Sequence, residues 1–296
     1  MQVVVLYVSV VMIWGSTWAA IRYQLGDVAA ELSVAYRFGI AAFFLYAYAL
    51  LSRRRIRLPA DAYAFVLLQG TLLFCLNYFL MYYATAKVTT GLIAVLFSSI
   101  IFFNAIFERV FFKKQIDSRL FISGVLGLSG IALIFWPEVS IISFEDDTVA
   151  GIALVLLGTV IASLGNMTAV INTRRGLPVI AVNAYAMAWA ALLSFLIAVL
   201  LGREISFSVE NAYLLSLAYL AVFGSAIAFG CYLALIRRIG AARAAYSSVM
   251  FPVVALAIST VVEGYQWTGV AAAGIILTLA GNWLILSGRT SNTENT

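Results

Sequence analysis

The stretch VVVLYVSVVMIWGSTWAAIR, Val3 to Arg22, decides the fold class, because it carries no charge before its last residue. A helix needs about 20 mostly apolar residues to cross the hydrocarbon core of a bilayer. The stretch reaches that length, and it lacks the strict alternation of apolar and polar residues that marks a membrane β-strand. It therefore predicts a membrane-spanning helix.

The whole chain has a similar composition. Of its 296 residues, 64% are hydrophobic and 10% are charged, with a mean hydropathy of +1.03, whereas soluble domains are about half apolar and a quarter charged. Apolar runs lie between charged or Pro/Gly-rich breaks at approximately 3–23, 31–51, 61–85, 89–112, 118–137, 149–173, 179–201, 211–236, 243–263 and 267–288. The sequence thus predicts an all-α polytopic membrane protein with ten transmembrane helices.

Lys and Arg residues predict the orientation, since they concentrate in cytoplasmic connections. With the N-terminus inside, every basic cluster falls on a connection that follows an even-numbered span. The clusters are Arg53, Arg54, Arg55 and Arg57; Lys113, Lys114 and Arg119; Arg174 and Arg175; and Arg237, Arg238 and Arg243. We expect both termini to be cytoplasmic. The net charge of +5 then reflects sidedness, and no nucleic-acid partner is expected.

The second half of the chain repeats the first at an offset of 151 residues, which places Gly130 on Gly281. Each half holds five spans, an odd number, so the halves must cross the membrane in opposite senses. Inverted repeats are the plan of many secondary transporters, whose substrate site lies near the midplane between the repeats. We predict a first five-helix repeat over 1–140, an inverted second repeat over 147–289, and a disordered tail over 290–296.

Residues that are absent exclude several classes of function. The chain has no histidine, which excludes catalysis and metal sites that use histidine. Cys75 and Cys231 lie in apolar runs and are typical of small buried residues. Membrane enzymes cluster His, Asp or Glu at one membrane face, and here the acids are scattered through external loops. We expect no enzyme, no metal and no cofactor; a channel stays open as a remote alternative.

Several motifs in fixed order resemble one family. They are MIWGSTWAAIR (Met12–Arg22), AYRFGIAAFF (Ala35–Phe44), LSGIALIF (Leu128–Phe135), VVEGYQWTGVAAAG (Val261–Gly274) and LAGNWLIL (Leu279–Leu286). Together they resemble the EamA-type ten-helix carriers of the drug/metabolite transporter superfamily. The resemblance implies export across the bacterial inner (plasma) membrane without ATP hydrolysis. The aromatic content is most similar to exporters of aromatic amino acids (Phe, Trp, Tyr), and a broad exporter of hydrophobic drugs or other metabolites is the alternative.

Two ionisable residues lie within the spans. Arg37 is a candidate gate or carboxylate contact, and the competing interpretation is a snorkelling cation or an ion pair with Glu31 or Asp27. Glu108 is expected to pair with its neighbour Arg109. The midplane is therefore expected to hold an uncharged cavity that accepts amphipathic solutes by alternating access, and the sequence leaves proton coupling and passive transport equally open.

Polar and aromatic residues inside the spans are the candidates for substrate binding. They are Trp14, Trp18, Asn77, Tyr78, Tyr82, Ser98, Ser99, Ser163, Asn166, Tyr185, Trp189 and Tyr246. Trp14 and Trp18 share one helical face, and Ser16 points away from it, so we expect Ser16 to pack against a helix. Each candidate has a competing role, because polar side chains also join helices in membranes, at about 0.6 kcal/mol per hydrogen bond.

Glycines and one proline suggest packing and movement. Gly91 and Gly240 open equivalent hairpins and are candidate hinges. Pro252 predicts a kink in the ninth span that the fourth span lacks, because its counterpart is Ile101. Small residues on the fifth and tenth helices favour close helix packing or a homodimer contact; they are Ser123, Gly124, Gly127, Gly130, Gly274 and Gly281.

Overall fold

The computed structural model describes residues 2–24, 26, 28–88, 90–136, 146–262 and 268–287, and no strand occurs among them. One helical segment, labelled α1 to α10 in chain order, corresponds to each expected span. The single helices are α1 (Gln2–Ile21), α2 (Ala30–Leu51), α5 (Ser118–Ile134), α6 (Asp146–Arg174), α7 (Val179–Leu200) and α10 (Gly269–Ser287). The composite segments are α3 (Tyr63–Gln69, Gly70–Leu76, Asn77–Thr85), α4 (Thr90–Phe97, Ile100–Phe112), α8 (Asn211–Ala221, Val222–Ile227, Ala228–Ile239) and α9 (Ala241–Ala245, Tyr246–Met250, Phe251–Val262).

The length and composition of these segments fit a membrane. Within the described residues, six are long and apolar enough to cross one, and they lie in α2, α3, α4, α6, α7 and α8. Shorter apolar helices lie in α1, α5 and α10. The expected all-α polytopic architecture is confirmed, whereas the count of ten crossings and the repeat boundaries stay predictions. The tail expected over 290–296 lies outside the described residues.

Helix contacts in one half recur at equivalent positions in the other. Segment α2 packs along α7, and α5 packs along α10, so both pairs join equivalent helices of the two halves. The contact of α1 with α8 has its counterpart in the contact of α6 with α3. Likewise, α4 packs on α6 as α9 packs on α1. These contacts enclose a space bounded by both halves.

The non-α turns follow the same equivalence. Segment α3 contains a π-helical turn at Gly70–Leu76, and α8 contains one at Val222–Ile227. Segment α9 includes a 3₁₀ turn at Tyr246–Met250, and α4 is also interrupted, between Phe97 and Ile100. The expectation of an asymmetric kink at Pro252 was therefore wrong. Pro252 lies in the first turn of the helix that follows the 3₁₀ turn, where a missing N–H costs little.

The glycines of α5 and α10 allow the two backbones to touch. A Cβ built on Gly274 would lie 2.5 Å from the carbonyl oxygen of Gly130, and a Cβ on Gly127 would lie 2.6 Å from the hydroxyl of Tyr246. Tyr246 is fully buried and donates to the carbonyl oxygen of Ser123 at 2.6 Å. These strips thus meet each other within the chain, and the homodimer stays an untested prediction.

Candidate substrate cavity

A cavity of about 150 Å³ lies between α1, α2, α3, α4, α6, α8 and α9. Among the residues expected to bind substrate, those that line it are Trp14, Asn77, Tyr78, Tyr82 and Asn166. Arg37 lines it as well. The described lining includes no residue of α5, α7 or α10, so the candidates Tyr185 and Trp189 of α7 lie elsewhere. Residues from both halves of the chain form its walls.

Trp14 forms one aromatic wall. Its ring centroid lies 4.8 Å from that of Phe229, 5.1 Å from Tyr232 and 5.6 Å from Phe251. Its Nε1–H donates to the carbonyl oxygen of Gly224 at 2.9 Å, within the π-helical turn of α8. Aromatic pairs of this kind contribute about 0.5–1.5 kcal/mol beyond buried area. The indole is thus fixed in place by its edge and by its faces.

A second set of rings continues this wall across α2 and α3. Phe74 lies 4.7 Å from Phe229 and 5.3 Å from Phe38, and Phe38 lies 5.0 Å from Tyr78, between ring centroids. Tyr78 lines the cavity, whereas Phe38 and Phe74 lie behind it, fully buried. The result is a continuous aromatic layer from α8 to α2, suited to the flat face of an aromatic ligand.

Arg37 places a cation in this aromatic setting. Its side chain is 2% exposed, and its Nε–H donates to Ser225 Oγ at 2.8 Å. The guanidinium carbon lies 5.0 Å from the ring centroid of Tyr78, a cation–π distance. Within the described part of the chain, its Nη1 has no hydrogen-bond partner. The expectation of an uncharged cavity was therefore wrong.

One competing interpretation of Arg37, an ion pair with Glu31, is wrong. Glu31 is buried, accepts a hydrogen bond from the hydroxyl of Tyr83, and pairs with Arg203 at 3.2 Å. Asp27, the other partner suggested by the sequence, lies outside the described residues. No described carboxylate forms an ion pair with Arg37. Because Glu31 is already bound to Tyr83 and Arg203, the guanidinium of Arg37 is left to bind a ligand in the cavity.

Several other polar atoms of the lining are buried without a partner. Buried polar groups are usually hydrogen-bonded, so a cluster of exceptions in one place requires an explanation. Within the described residues, such atoms in the lining are Asn77 Oδ1, Tyr82 OH, Asn166 Oδ1 and Ser248 Oγ, besides Arg37 Nη1. Their position around one space indicates that the polar groups of a ligand can satisfy them.

Asn104 of α4 holds together a polar network behind the cavity. Its Oδ1 accepts from Ser163 Oγ at 2.6 Å and from Asn166 Nδ2 at 3.3 Å. Asn166 also donates to Tyr232 OH at 3.2 Å, and both of these residues line the cavity. The other side of the amide, Nδ2, donates to the carbonyl oxygen of Ala241 at 3.2 Å. Asn104 therefore connects the cavity wall to the turn between α8 and α9.

The remaining candidates of α4 and α7 lie away from the cavity. Ser98 is buried, and Ser99 donates back to the carbonyl oxygen of Leu96 at 2.6 Å. Tyr185 packs against Tyr46 and Tyr63, and Trp189 donates to the hydroxyl of Thr71 at 2.9 Å. Ser163 and Tyr246 do not line the cavity either. Ser163 donates to Asn104, and Tyr246 lies in the α5–α10 contact.

The first segment meets expectation in part. Ser16 donates to backbone carbonyls of its own helix and shares a hydrogen bond of 2.6 Å with Tyr219, which confirms its packing role. Thr17, one residue further, lines the cavity. The backbone of Trp18 lies in α1, and its side chain lies outside the described part of the structure.

The two candidate hinges occupy different settings. Gly91 lies in the first turn of the helix Thr90–Phe97. Gly240 has a φ of +84° and separates α8 from α9, a backbone conformation that favours glycine. Beside it, Glu108 Oε1 accepts the N–H of Ala241 at 2.8 Å, and Glu108 Oε2 pairs with Lys114 at 2.8 Å. The expected pairing of Glu108 with Arg109 was wrong.

Sequence reasoning missed the residues of α8 and α9 that face Trp14. Phe229 and Tyr232 are three residues apart and therefore share a helical face, which is a signal that the sequence did contain. Asn104 was missed because nothing in the surrounding apolar run distinguishes its amide from the other amides within the spans. No cluster of His, Cys, Asp and Glu suited to a metal ion occurs among the described residues.

Comparison with known proteins shows the family of this chain. The sequence profile described as "EamA-like transporter family" matches it twice, over residues 1–136 and 149–287. The chain belongs to the EamA-like transporter family. Its polytopic helices and its inner-membrane relatives make it a multi-pass inner-membrane transporter and not an enzyme.

Individual relatives of this EamA-like transporter are distant but cover most of its length. Protein PagO of Salmonella typhimurium is 26% identical over 96% of this chain and 93% of its own. The "uncharacterized inner membrane transporter YedA" of Escherichia coli K12 is 26% identical over 92% of this chain and 89% of its own. One solved crystal structure, 18% identical, superposes with a TM-score of 0.78 over 95% of both chains, which shows the shared fold.

Proposed function

We propose that this chain is a secondary carrier that exports aromatic amino acids (Phe, Trp, Tyr) and related amphipathic aromatic metabolites from the cytoplasm. The observation that carries the proposal is the anchoring of Trp14 and Arg37 on adjacent residues, Gly224 and Ser225, of the π-helical turn in α8. An aromatic slot thus lies beside a buried guanidinium. This combination suits an aromatic ring that carries a carboxylate.

Alternating access is the proposed mechanism. In the predicted topology, Ile21 and Thr85 lie at the external ends of α1 and α3, and both line the cavity. In the same topology, the contact of Glu108 with Ala241 lies on the cytoplasmic side, where it ties α4 to the turn between α8 and α9. The arrangement is therefore suited to the outward-facing state. Export requires the turn at Gly240 to separate from α4 and expose the cavity to the cytoplasm.

Transport by the pure protein in liposomes tests the proposal. Labelled Phe, Trp and Tyr are compared with Lys, Glu and a lipophilic dication. We expect saturable flux of the aromatic amino acids that falls at least 10-fold in Tyr78→Ala and Tyr82→Ala. Tyr185→Ala is the matched control, since Tyr185 packs outside the cavity. We expect that variant to transport like the wild type.

Each rival function gives a different result in the same assay. Selective flux of Lys or Glu would overturn the aromatic assignment, and equal flux of the dication would support a broad drug exporter. Conductance far beyond the turnover of a carrier would indicate a channel. We propose transport without an obligatory proton, and a proton flux in fixed ratio to the substrate would contradict that part.

A further inference from the structure

The charge balance of the cavity defines its substrate more narrowly than its aromatic walls do. Arg37 is the one charged residue in the described lining, and the described part of the lining contains no carboxylate. Glu31 does not provide a carboxylate for Arg37, because it is already paired with Arg203 and hydrogen-bonded by Tyr83. An unpaired guanidinium inside a membrane protein is costly unless a counter-charge arrives. A ligand carboxylate provides that counter-charge, and it can accept two parallel hydrogen bonds from an arginine.

The geometry around Arg37 leaves it ready for such a ligand. Its Nε–H is bound to Ser225, and its flat face lies over Tyr78 and Phe38, at 5.0 and 5.6 Å from their centroids. Its Nη1 is buried and makes no hydrogen bond of normal geometry among the described residues, and the Tyr82 side chain is its polar neighbour. The side chain is thus held by packing, while one donor is left for an anion.

An ammonium group would have no equivalent partner. The unpaired acceptors around the cavity are neutral: the amide oxygens of Asn77 and Asn166 and the hydroxyls of Tyr82 and Ser248. These atoms can solvate an ammonium but cannot neutralise it, and Arg37 repels it. A zwitterion therefore gains less in this cavity than an anion with the same ring.

We propose that the preferred substrates are aromatic monocarboxylates without an α-ammonium group, carried as anions ahead of the zwitterionic amino acids. The proposal rests on the proposed function and narrows its substrate class. It has a second consequence, because each crossing then moves one negative charge. A membrane potential of 100 mV, negative inside, favours the exit of a monovalent anion by about 50-fold. The carrier can then export without an ion gradient of its own.

Three ligands that share one ring test the charge preference. They are 3-phenylpropionate, which has only the carboxylate; phenylalanine, which has both charges; and phenethylamine, which has only the ammonium. Calorimetric titration of the purified full-length protein gives their affinities. We expect 3-phenylpropionate to bind at least 10-fold more tightly than phenylalanine, with no binding of phenethylamine. Equal or tighter binding of phenylalanine would overturn the proposal.

Charge movement gives an independent test on the wild-type protein. Proteoliposomes on a supported membrane should produce a transient current when 3-phenylpropionate is added, and its flux should follow an imposed potassium diffusion potential. Diffusion of the neutral acid through lipid is electrically silent and adds nothing to the current, and protein-free liposomes measure its share of the flux, which is subtracted. Potential-independent flux would overturn the anionic mechanism. If no aromatic compound is bound or carried, the proposed function itself fails, which is a distinguishable result.

A variant series assigns the effect to Arg37. In Arg37→Gln we expect the affinity for 3-phenylpropionate to fall at least 10-fold, while the affinity for uncharged 2-phenylethanol stays unchanged. Arg37→Lys keeps the charge and should retain part of the preference. An unchanged ratio of 3-phenylpropionate to phenylalanine in Arg37→Gln would contradict the assignment. The wild-type ligand series decides the question even where a variant fails to fold.

Discussion

The Glu108 carboxylate accepts the backbone N–H of Ala241 at 2.8 Å and so holds the end of α4 against the turn between α8 and α9. Asn104, one helical turn earlier, binds the carbonyl oxygen of the same residue. Both backbone hydrogen-bonding groups of Ala241 are thus tied to one helix face. In the proposed alternating-access cycle and the predicted topology, these are the contacts that must break for the cytoplasmic side to open.

Gly240→Ala should destabilise this turn. Gly240 has a φ of +84°, and an added Cβ would lie 2.6 Å from Lys114 Nζ. Non-glycine residues in such a conformation cost about 1–3 kcal/mol. We expect a lower unfolding temperature in detergent. Gly230→Ala, in the same segment with no atom within 4 Å of an added Cβ, is the control and should unfold like the wild type. Equal stability of the two variants would contradict this packing.

Asn104→Ala should impair transport although Asn104 does not line the cavity. The substitution removes the acceptor that Ser163 and Asn166 share, and an orphaned buried polar group costs about 1–3 kcal/mol. We expect aromatic flux to fall several-fold. A double-mutant cycle with Ser163→Ala measures the coupling. Strictly additive effects would show that Asn104 does not hold these side chains together.

Trp14→Ala should reduce aromatic flux at least 10-fold, because it removes three ring contacts and the bond to Gly224. Trp14→Phe keeps a ring and loses the hydrogen bond, which contributes about 0.5–1.5 kcal/mol, so its flux should fall only a few-fold. Trp283→Ala is the control, since Trp283 is 70% exposed on α10. Equal loss in Trp14→Ala and Trp283→Ala would mean that insertion, and not the cavity, is affected.

Gly281→Ala should weaken the α5–α10 contact. An added Cβ would overlap the hydroxyl of Tyr246 and lie 2.9 Å from the carbonyl oxygen of Ser123. Overpacking of this kind costs about 1–3 kcal/mol. Gly269→Ala, at the open start of the same helix, adds a methyl group that meets nothing within 4 Å. Thermal unfolding should separate the two variants, and a matching unfolding temperature would contradict this contact.

Hydropathy and charge were enough to predict the fold, because both report directly on the surrounding solvent. A run without charge such as Val3–Ile21 must be helical in lipid, whatever its neighbours are. The sequence also predicted the close approach of α5 to α10, since Gly130 and Gly274 leave room for it. The sequence did not specify what each glycine strip packs against. The strips of α5 and α10 meet each other within one chain, and Tyr246 lies between them.

The cavity was predicted less completely, because a polar residue in a span can face a cavity or another helix. Trp14, Tyr78 and Asn166 line the cavity, whereas Tyr185 packs against Tyr46 and Tyr63, and Trp189 donates to Thr71, where α7 meets α2 and α3. The choice depends on the rotation of each helix about its axis. Phe229 was missed for the same reason: its spacing from Tyr232 placed both rings on one helical face, but the spacing did not show which way that face was turned.

The π-helical turn Gly70–Leu76 changes how α3 must be drawn. An α-helix advances by about 100° per residue, and a wider turn alters that phase for everything beyond it. Tyr63–Gln69 and Asn77–Thr85 therefore cannot share one helical wheel, and the side of Asn77 and Tyr82 must be plotted from the second half alone. The turn sets the rotation of Asn77–Thr85 about the helix axis relative to Tyr63–Gln69. Deleting a single residue from it would make the segment α-helical throughout and leave the amide and the phenol on nearly the same side, because the wider turn holds one extra residue for the same rotation.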